Sequence, residues 1–404
     1  MRGGKERQTP MQKKWYILLL IALTSTTVVA APPISITVLF DEISHDLDLS
    51  LVQIGYIWGI ASLPGIFTSL LGGAIVDRLG PRRVLLACIL LMGLAGASRG
   101  FATGYLSLML TVFLTGLLST VTILSMYKTI GFWFPKRQLG TAAGILSMGM
   151  ALGFLLGTLL SASFLSPWLG GWRHVMCFYS LFALVLLVLW LFTPAAPGGS
   201  PEHQTQAATA PIWQAIRHVA SLRNVWLLAL ALLGYSGSVQ GALGYLPLYL
   251  RQSGWTDLTA DSAISSFHLA SMIMVLPITM LSDRLGKRKG LLLGMGLMTA
   301  TGIALLALVH GNAVWAAIIL AGMVRDSFMA LFMIQVMETD QVGALYAGTA
   351  TGFVQVFASL GNTLAPSLGN QLASTSAGLP FAAWGLLAAA GILSLSLTRA
   401  RLHH

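Results

Sequence analysis

Apolar runs of about 20 residues or more recur along the whole chain, and each is long enough to cross the hydrocarbon core of a bilayer as a helix. A water-soluble chain would instead alternate apolar and polar residues at a helical or strand period. The composition agrees, because 56% of the 404 residues are hydrophobic and only 9% are charged, against roughly a quarter charged in soluble domains. The sequence therefore predicts an all-α membrane protein.

Charged residues, glycines and prolines divide the apolar runs into twelve predicted spans. In the first half these are residues 15–40, 51–76, 82–101, 104–127, 141–165 and 173–193, and in the second half 224–250, 262–281, 290–310, 312–336, 347–372 and 379–398. Between the halves, a Pro/Gly-rich and Gln/Thr/Ala-rich stretch predicts a flexible linker with a short interfacial helix at 212–220. We therefore predict an N-terminal six-helix bundle at 1–194, a cytoplasmic linker at 195–222 and a C-terminal six-helix bundle at 223–404.

Basic residues are distributed unevenly between the two sets of loops. One set, together with the termini, holds Arg2, Lys5, Arg7, Lys13, Lys14, Arg78, Arg82, Arg83, Lys136, Arg137, Arg217, Arg223, Arg284, Lys287, Arg288, Lys289, Arg399 and Arg401. The other set holds only Arg99, Arg173 and Arg251 and is acidic. The positive-inside rule then predicts that both termini are cytoplasmic, in the inner membrane of a bacterium. The net charge of +10 is explained by these loops, which argues against nucleic acid as a partner.

The two predicted bundles share internal repeats. The segment 76–83 (VDRLGPRR) recurs 206 residues later at 282–289 (SDRLGKRK). A second pair, 140–144 (GTAAG) and 348–352 (GTATG), is separated by 208 residues. Two independent matches at nearly one spacing predict that the halves have the same fold in a parallel repeat.

The loop between spans two and three carries a glycine and charge motif made of Gly73, Asp77, Arg78, Gly80, Arg82 and Arg83. It resembles the signature loop of the major facilitator superfamily. A second, degenerate copy follows span eight and consists of Asp283, Arg284, Gly286 and Arg288. The resemblance implies twelve transmembrane helices in two pseudo-symmetric six-helix bundles, with a substrate bound between them and carried by alternating access.

The residue types in this motif suit a conformational latch. Gly73 allows helices to approach closely, and Gly80 permits a tight turn. Asp77 can pair with arginines or with a helix N-terminus across the bundle interface. A basic loop that serves only topology is the alternative interpretation.

Two charged residues fall near the centre of predicted span ten, where ionisable groups are costly. Arg325 is a candidate anion ligand, because its planar guanidinium suits carboxylate-like groups. Asp326 is a candidate proton-coupling carboxylate or a fixed counter-ion. As sequence neighbours on a helix they point in different directions, so we do not expect them to pair. A structural network with neighbouring helices is the alternative.

Other polar residues in the spans have two interpretations each. Lys128 either lines the inner cavity as a substrate ligand or extends its amine to the interface, and His268 either binds substrate or packs as a buried histidine. Arg99, at the outer end of span three, is predicted to be an interfacial anchor. Cavity hydrogen bonds are available from Tyr56, Trp58, Tyr127, Tyr235, Gln240, Tyr245, Gln355 and Asn362.

Enzymatic and metal motifs are missing or misplaced. The nearest approach to a phosphate-binding loop, Gly286-Lys287, is followed by arginine, and no His-Glu-x-x-His string occurs. A Gly-x-Ser-x-Gly string at 96–100 ends a membrane span instead of forming a strand-to-helix elbow. Cys88 and Cys177 lie inside apolar runs without metal-ligand spacing. We therefore expect no enzyme, no cofactor and no metal, with energy taken from a gradient.

The predicted function is secondary transport of a small organic anion, with protons as possible co-substrates. The deep charges favour it, because Arg325 and Lys128 are two cations against one carboxylate. The chain resembles organic-anion and cyanate-type branches of the superfamily at 133–137 (WFPKR) and Arg99, whereas 142–157 lacks the Gly/Asn-rich pattern of the nitrate branch. The alternatives are proton-coupled efflux of hydrophobic drugs, or a transporter-like receptor.

Overall fold

A computed structural model describes residues 10–134, 138–193, 212–285 and 288–398. The first half contains α1 (Pro10–Thr24), a π-helical segment (Ser25–Ala30), α2 (Ala31–Leu47), α3 (Leu51–Ile60), α4 (Gly65–Leu79), α5 (Pro81–Gly100), α6 (Tyr105–Trp133), α7 (Leu139–Leu160), a second π-helical segment (Ser161–Leu165), α8 (Ser166–Leu169) and α9 (Trp172–Leu191). The remainder contains α10 (Ile212–Ser221), α11 (Arg223–Gln252), α12 (Asp257–Leu285), α13 (Arg288–Leu305), α14 (Ala313–Gly322), α15 (Arg325–Met337), α16 (Gly343–Leu372) and α17 (Leu379–Ser396).

These helices account for all twelve predicted spans, several of them longer than expected. Span one runs without interruption from α1 through the π-helical segment into α2, which begins with Pro32 and Pro33 in its first turn. Span two is broken before Pro64, and span ten is broken between α14 and α15. Ten helical stretches in the described residues are long and apolar enough to cross a membrane. The other two spans, α13 and α16, pack against α17 and α11 within the C-terminal half.

The linker helix predicted at 212–220 is present as α10. It packs on α16, and the imidazole Nε2 of His218 lies 2.9 Å from the carbonyl oxygen of Gln341. Residues 194–211 of the predicted linker lie outside the described residues. The interfacial position of α10 remains a prediction.

The internal repeat is visible in the packing of glycines. A Cβ placed on Gly153 of α7 would lie 2.5 Å from the carbonyl oxygen of Thr26 in span one. The matching Gly361 of α16 lies equally close to span seven, where a Cβ would be 2.3 Å from the carbonyl oxygen of Leu233 in α11. Both glycines allow two backbones to touch, as small residues do in membrane bundles. Spans one and five therefore pack as spans seven and eleven do.

The two bundles meet along two symmetry-related helix pairs, α3 with α16 and α7 with α12. In the first pair, the amide of Asn370 donates to the carbonyl oxygen of Leu51 at 2.8 Å. Beside the second pair, Ser163 of the π-helical segment that follows α7 donates to the buried carboxylate of Asp261 at 2.6 Å, and Arg251 of α11 pairs with the same carboxylate at 2.5 Å. These hydrogen bonds between the bundles lie toward the loops at 48–50, 253–256 and 373–378. The interface is therefore closed at that end.

The glycine and charge motif is described only in part. Gly80 has a φ of 82° between α4 and α5, as its tight turn requires. Arg82 donates to the carbonyl oxygen of Leu191 at 3.0 Å, and in the second copy Arg288 forms an ion pair with Glu338. Arg78, Arg83 and Arg284 are exposed. Gly286 and the side chains at positions 73, 77 and 283 lie outside the described residues, so the latch role of Asp77 and Asp283 remains a prediction.

Candidate functional site

A break in span ten positions the central charges. A Cβ on Gly322 would lie 2.6 Å from the backbone oxygen of Phe267 in α12, so the helices touch where α14 ends. After a two-residue turn, α15 begins at Arg325. The backbone N–H of Asp326 donates to the Ser271 hydroxyl of α12 at 3.0 Å, which satisfies a free donor in the first helical turn. The charges therefore lie at the start of a short helix and not within a continuous one.

Arg325 and Asp326 form an ion pair, with Nη1 of the arginine 2.7 Å from Oδ1 of the aspartate. The expectation that the two side chains would not pair is therefore wrong. That expectation assumed that both side chains keep fixed directions on a regular helix, whereas the long arginine side chain brings its guanidinium to the neighbouring carboxylate. Both side chains are about one-third exposed or less, at 26% and 32%. The arginine is thus held by a counter-ion yet accessible.

Phe154 of α7 brings the N-terminal bundle to these charges. The guanidinium carbon of Arg325 lies 5.7 Å from the centre of the Phe154 ring, within reach of a cation–π interaction. The same ring stacks on the buried imidazole of His268, with centres 5.4 Å apart. His268 Nε2 has no hydrogen-bond partner among the described residues. We call Arg325, Asp326, His268, Ser271 and Phe154 the central cluster; it joins α7 to α12 and α15.

Sequence reasoning missed Phe154. Its signal was the internal repeat, because Phe154 follows Gly153 as Asn362 follows the matching Gly361. Asn362 is one of the polar cavity candidates from the sequence. Gln355 lies on the same face of α16 as Asn362. Each of these side chains has a buried oxygen without a hydrogen-bond partner in the described part of the chain. Ser359 lies on the same face and contacts Gly65 of the other bundle, so this face of α16 looks toward the interface.

Three other candidates from the sequence form contacts away from the central cluster. Trp58 donates to the carbonyl oxygen of Gln240 across the bundle interface at 2.8 Å. Tyr235 is buried in a stack on Phe328, and Tyr245 is buried with its hydroxyl near Ala377. These side chains hold helices together.

The other two cations considered from the sequence, Lys128 and Arg99, lie on α6 and α5. Lys128 is half-buried on α6, which packs on helices of the N-terminal half, and the contacts that build the central cluster do not include it. Arg99 was predicted to be an interfacial anchor, and this is wrong. Its side chain is 1% exposed, because α6 and α9 close over the end of α5.

The central cluster brings together groups that can interact with an anion. A partly exposed guanidinium that is paired with one carboxylate can also bind the oxygens of an anion. An aromatic face beside the cation suits a small organic group attached to such an anion. Within the described residues, no group of three His, Cys, Asp or Glu side chains is placed to hold a metal ion.

Relatives and solved structures agree with this architecture. The chain matches the Major Facilitator Superfamily over residues 16–366 and 254–403. It is 23% identical over 385 residues to a protein of Cupriavidus necator described as a probable sulfoacetate transporter, covering 89% of this chain and 88% of the relative. It is 27% identical over 263 residues to a probable nitrate/nitrite antiporter of Thermus thermophilus, covering 62% and 58%.

A third relative, a probable galactarate/D-glucarate transporter of Bacillus subtilis, is 25% identical over 177 residues, covering 42% of this chain and 38% of the relative. Among solved structures, a bacterial homolog of the human lysosomal transporter Spinster has the same fold, with a TM-score of 0.74 and 18% identity over 98% of this chain and 94% of that chain. The chain thus belongs to the major facilitator superfamily of membrane transporters, with twelve helices in two six-helix bundles.

Proposed function

We propose that this protein is a secondary transporter that carries a small anion between its two bundles by alternating access. The observation that carries the proposal is the ion pair of Arg325 and Asp326, partly exposed between α12 and the aromatic face of Phe154. In a poorly screened cavity such a cation gains most from an anionic partner. Binding at a contact between bundles also couples occupancy to their relative position.

Similarity supports an anionic substrate. The three relatives above bear names that refer to sulfoacetate, to galactarate and D-glucarate, and to nitrate and nitrite. All of these are anions with two or more oxygens around a planar or tetrahedral centre, which a guanidinium binds with two parallel hydrogen bonds. The organic anions also have an apolar or hydroxylated carbon chain that can lie on Phe154. We therefore favour an organic anion.

Proton coupling would use the same contact. When a substrate anion binds the guanidinium of Arg325 in place of Asp326, the carboxylate of Asp326 loses its ion-pair partner. A carboxylate left unpaired between membrane helices is costly, and taking up a proton removes the charge. The anion and one proton would then move together. In this proposal His268 supports the Phe154 ring, and Lys128 attracts anions on the way to the cluster.

We further propose that the protein lies in a bacterial inner membrane with both termini cytoplasmic, as the loop charges favour. In that orientation the closed end of the bundle interface is external, and the central cluster is reached from the cytoplasm. A cysteine placed at His45, whose side chain is 83% exposed at the end of α2, should react with a membrane-impermeant maleimide added to intact cells. Reaction only after the cells are opened would contradict this orientation.

Flux into proteoliposomes tests the function. With sulfoacetate, D-glucarate and nitrate as separate labelled probes, we expect saturable uptake of at least one, faster when the outside is more acidic. Binding of an anion without flux would instead indicate a receptor. Uptake of a hydrophobic drug with no anion flux would support the efflux alternative.

A further inference from the structure

A cation other than Arg325 is buried within the N-terminal bundle, away from the central cluster. Arg99, the penultimate residue of α5, is 1% exposed. Its Nη2 donates to the Thr115 hydroxyl of α6 at 2.7 Å, and its Nη1 lies 3.9 Å from the sulfur of Met176 in α9. Its Nε has no hydrogen-bond partner among the described residues. Arginine keeps its charge in proteins, so three helices enclose a full positive charge.

No carboxylate balances this charge within the described residues. The ion pairs formed there by arginine involve Arg173, Arg251, Arg288 and Arg325. The Thr115 hydroxyl and the Met176 sulfur are neutral, and sulfur is a weak acceptor. Enclosing a cation with so little compensation is costly, and a bound anion would remove most of that cost.

A small cavity adjoins the guanidinium. Its lining includes Arg99, Thr115, Pro32, Met176 and Tyr179, and its volume is about 20 Å³. A cavity of that size holds one water-sized particle, since about 10–15 Å³ on this measure is the minimum for one. The cavity therefore matches a single small ion. The hydroxyls of Tyr179 and Ser161 lie 2.8 Å apart, and their mutual bond leaves one hydroxyl hydrogen for another acceptor.

We propose that Arg99 holds a single halide ion, chloride in the cell, inside the N-terminal bundle. The ion completes the charge balance where α5, α6 and α9 meet, so its binding stabilises that bundle. This site is separate from the central cluster, and it stands whether or not Arg325 binds a transported anion.

Thermal unfolding of the purified full-length protein tests the site. Chloride or bromide should raise the unfolding temperature in a saturable way, compared with gluconate at equal ionic strength. In Arg99→Gln the halide affinity should fall about tenfold or more, the loss expected for a charge-assisted hydrogen bond. Arg217→Gln is the matched control and should retain the halide response, because it makes the same chemical change at an exposed position on α10.

Two further measurements keep the test decisive if Arg99→Gln does not fold. Thr115→Val removes the acceptor that orients the guanidinium and should weaken halide binding several-fold at constant net charge. Crystals grown in bromide should show an anomalous peak in hydrogen-bond range of Arg99 Nε. An equal halide response in wild type and both Arg99 site variants, or only water beside the guanidinium in bromide crystals, overturns the proposal.

Discussion

Arg325→Lys is expected to lower the rate of anion uptake at subsaturating substrate by about tenfold or more, which corresponds to one charge-assisted hydrogen bond of about 1.5–3 kcal/mol. Lysine keeps the positive charge but offers a single point of contact in place of the planar fork. It also lacks the flat guanidinium that lies 5.7 Å from the Phe154 ring. The measurement is initial uptake into proteoliposomes at several substrate concentrations.

Arg217→Lys is the matched control. It makes the same chemical change at an arginine that is exposed on α10, away from the central cluster. Its uptake should equal that of the wild type. The companion change Asp326→Asn should leave exchange of substrate across the membrane but remove the acceleration by a proton gradient. Normal uptake by Arg325→Lys, or full proton drive in Asp326→Asn, would mean that the pair is only a structural network.

Gly59→Val is expected to reduce net uptake to about a tenth or less by preventing closure of the bundle interface. A Cβ on Gly59 of α3 would lie 2.3 Å from the backbone oxygen of Thr363 in α16, and backbone atoms cannot move aside as side chains do. Overpacking of this kind costs about 1–3 kcal/mol, enough to shift a two-state equilibrium roughly 5-fold to 150-fold. The contact joins the two bundles, so each bundle should still fold.

Spin labels on cysteines at His45 and Thr375 report the opening directly. Both residues are exposed, one in each bundle, at the end of the molecule where the interface is closed. With Cys88 and Cys177 replaced by serine, the distance between the labels should increase in Gly59→Val. Gly131→Val is the matched control, because a Cβ at Gly131 meets nothing within 4 Å, and it should leave distance and uptake unchanged. An unchanged distance in Gly59→Val with uptake lost would show that the residue acts other than by closure.

The central cluster shows where sequence reasoning was sufficient and where it was not. Arg325, Asp326 and His268 were selected because ionisable groups inside long apolar runs are costly wherever they point. Their mutual arrangement depended on Gly322, whose close contact with Phe267 in another helix accompanies the break in span ten. Within the run 312–336, Gly322 lowers helix propensity, but its contact with Phe267 of α12 could not be predicted from that run alone.

The sequence by itself determined the number of spans, the linker helix and the repeat, because span length and composition are properties of a continuous segment. Only the tertiary structure decided that Arg325 pairs with Asp326, that Phe154 reaches them from the other bundle, and that Arg99 is buried. In a chain whose helices are apolar nearly all round, the hydrophobic pattern does not distinguish a face toward lipid from a face toward protein. Close contacts between backbones set those faces, and they form only when both helices are in place.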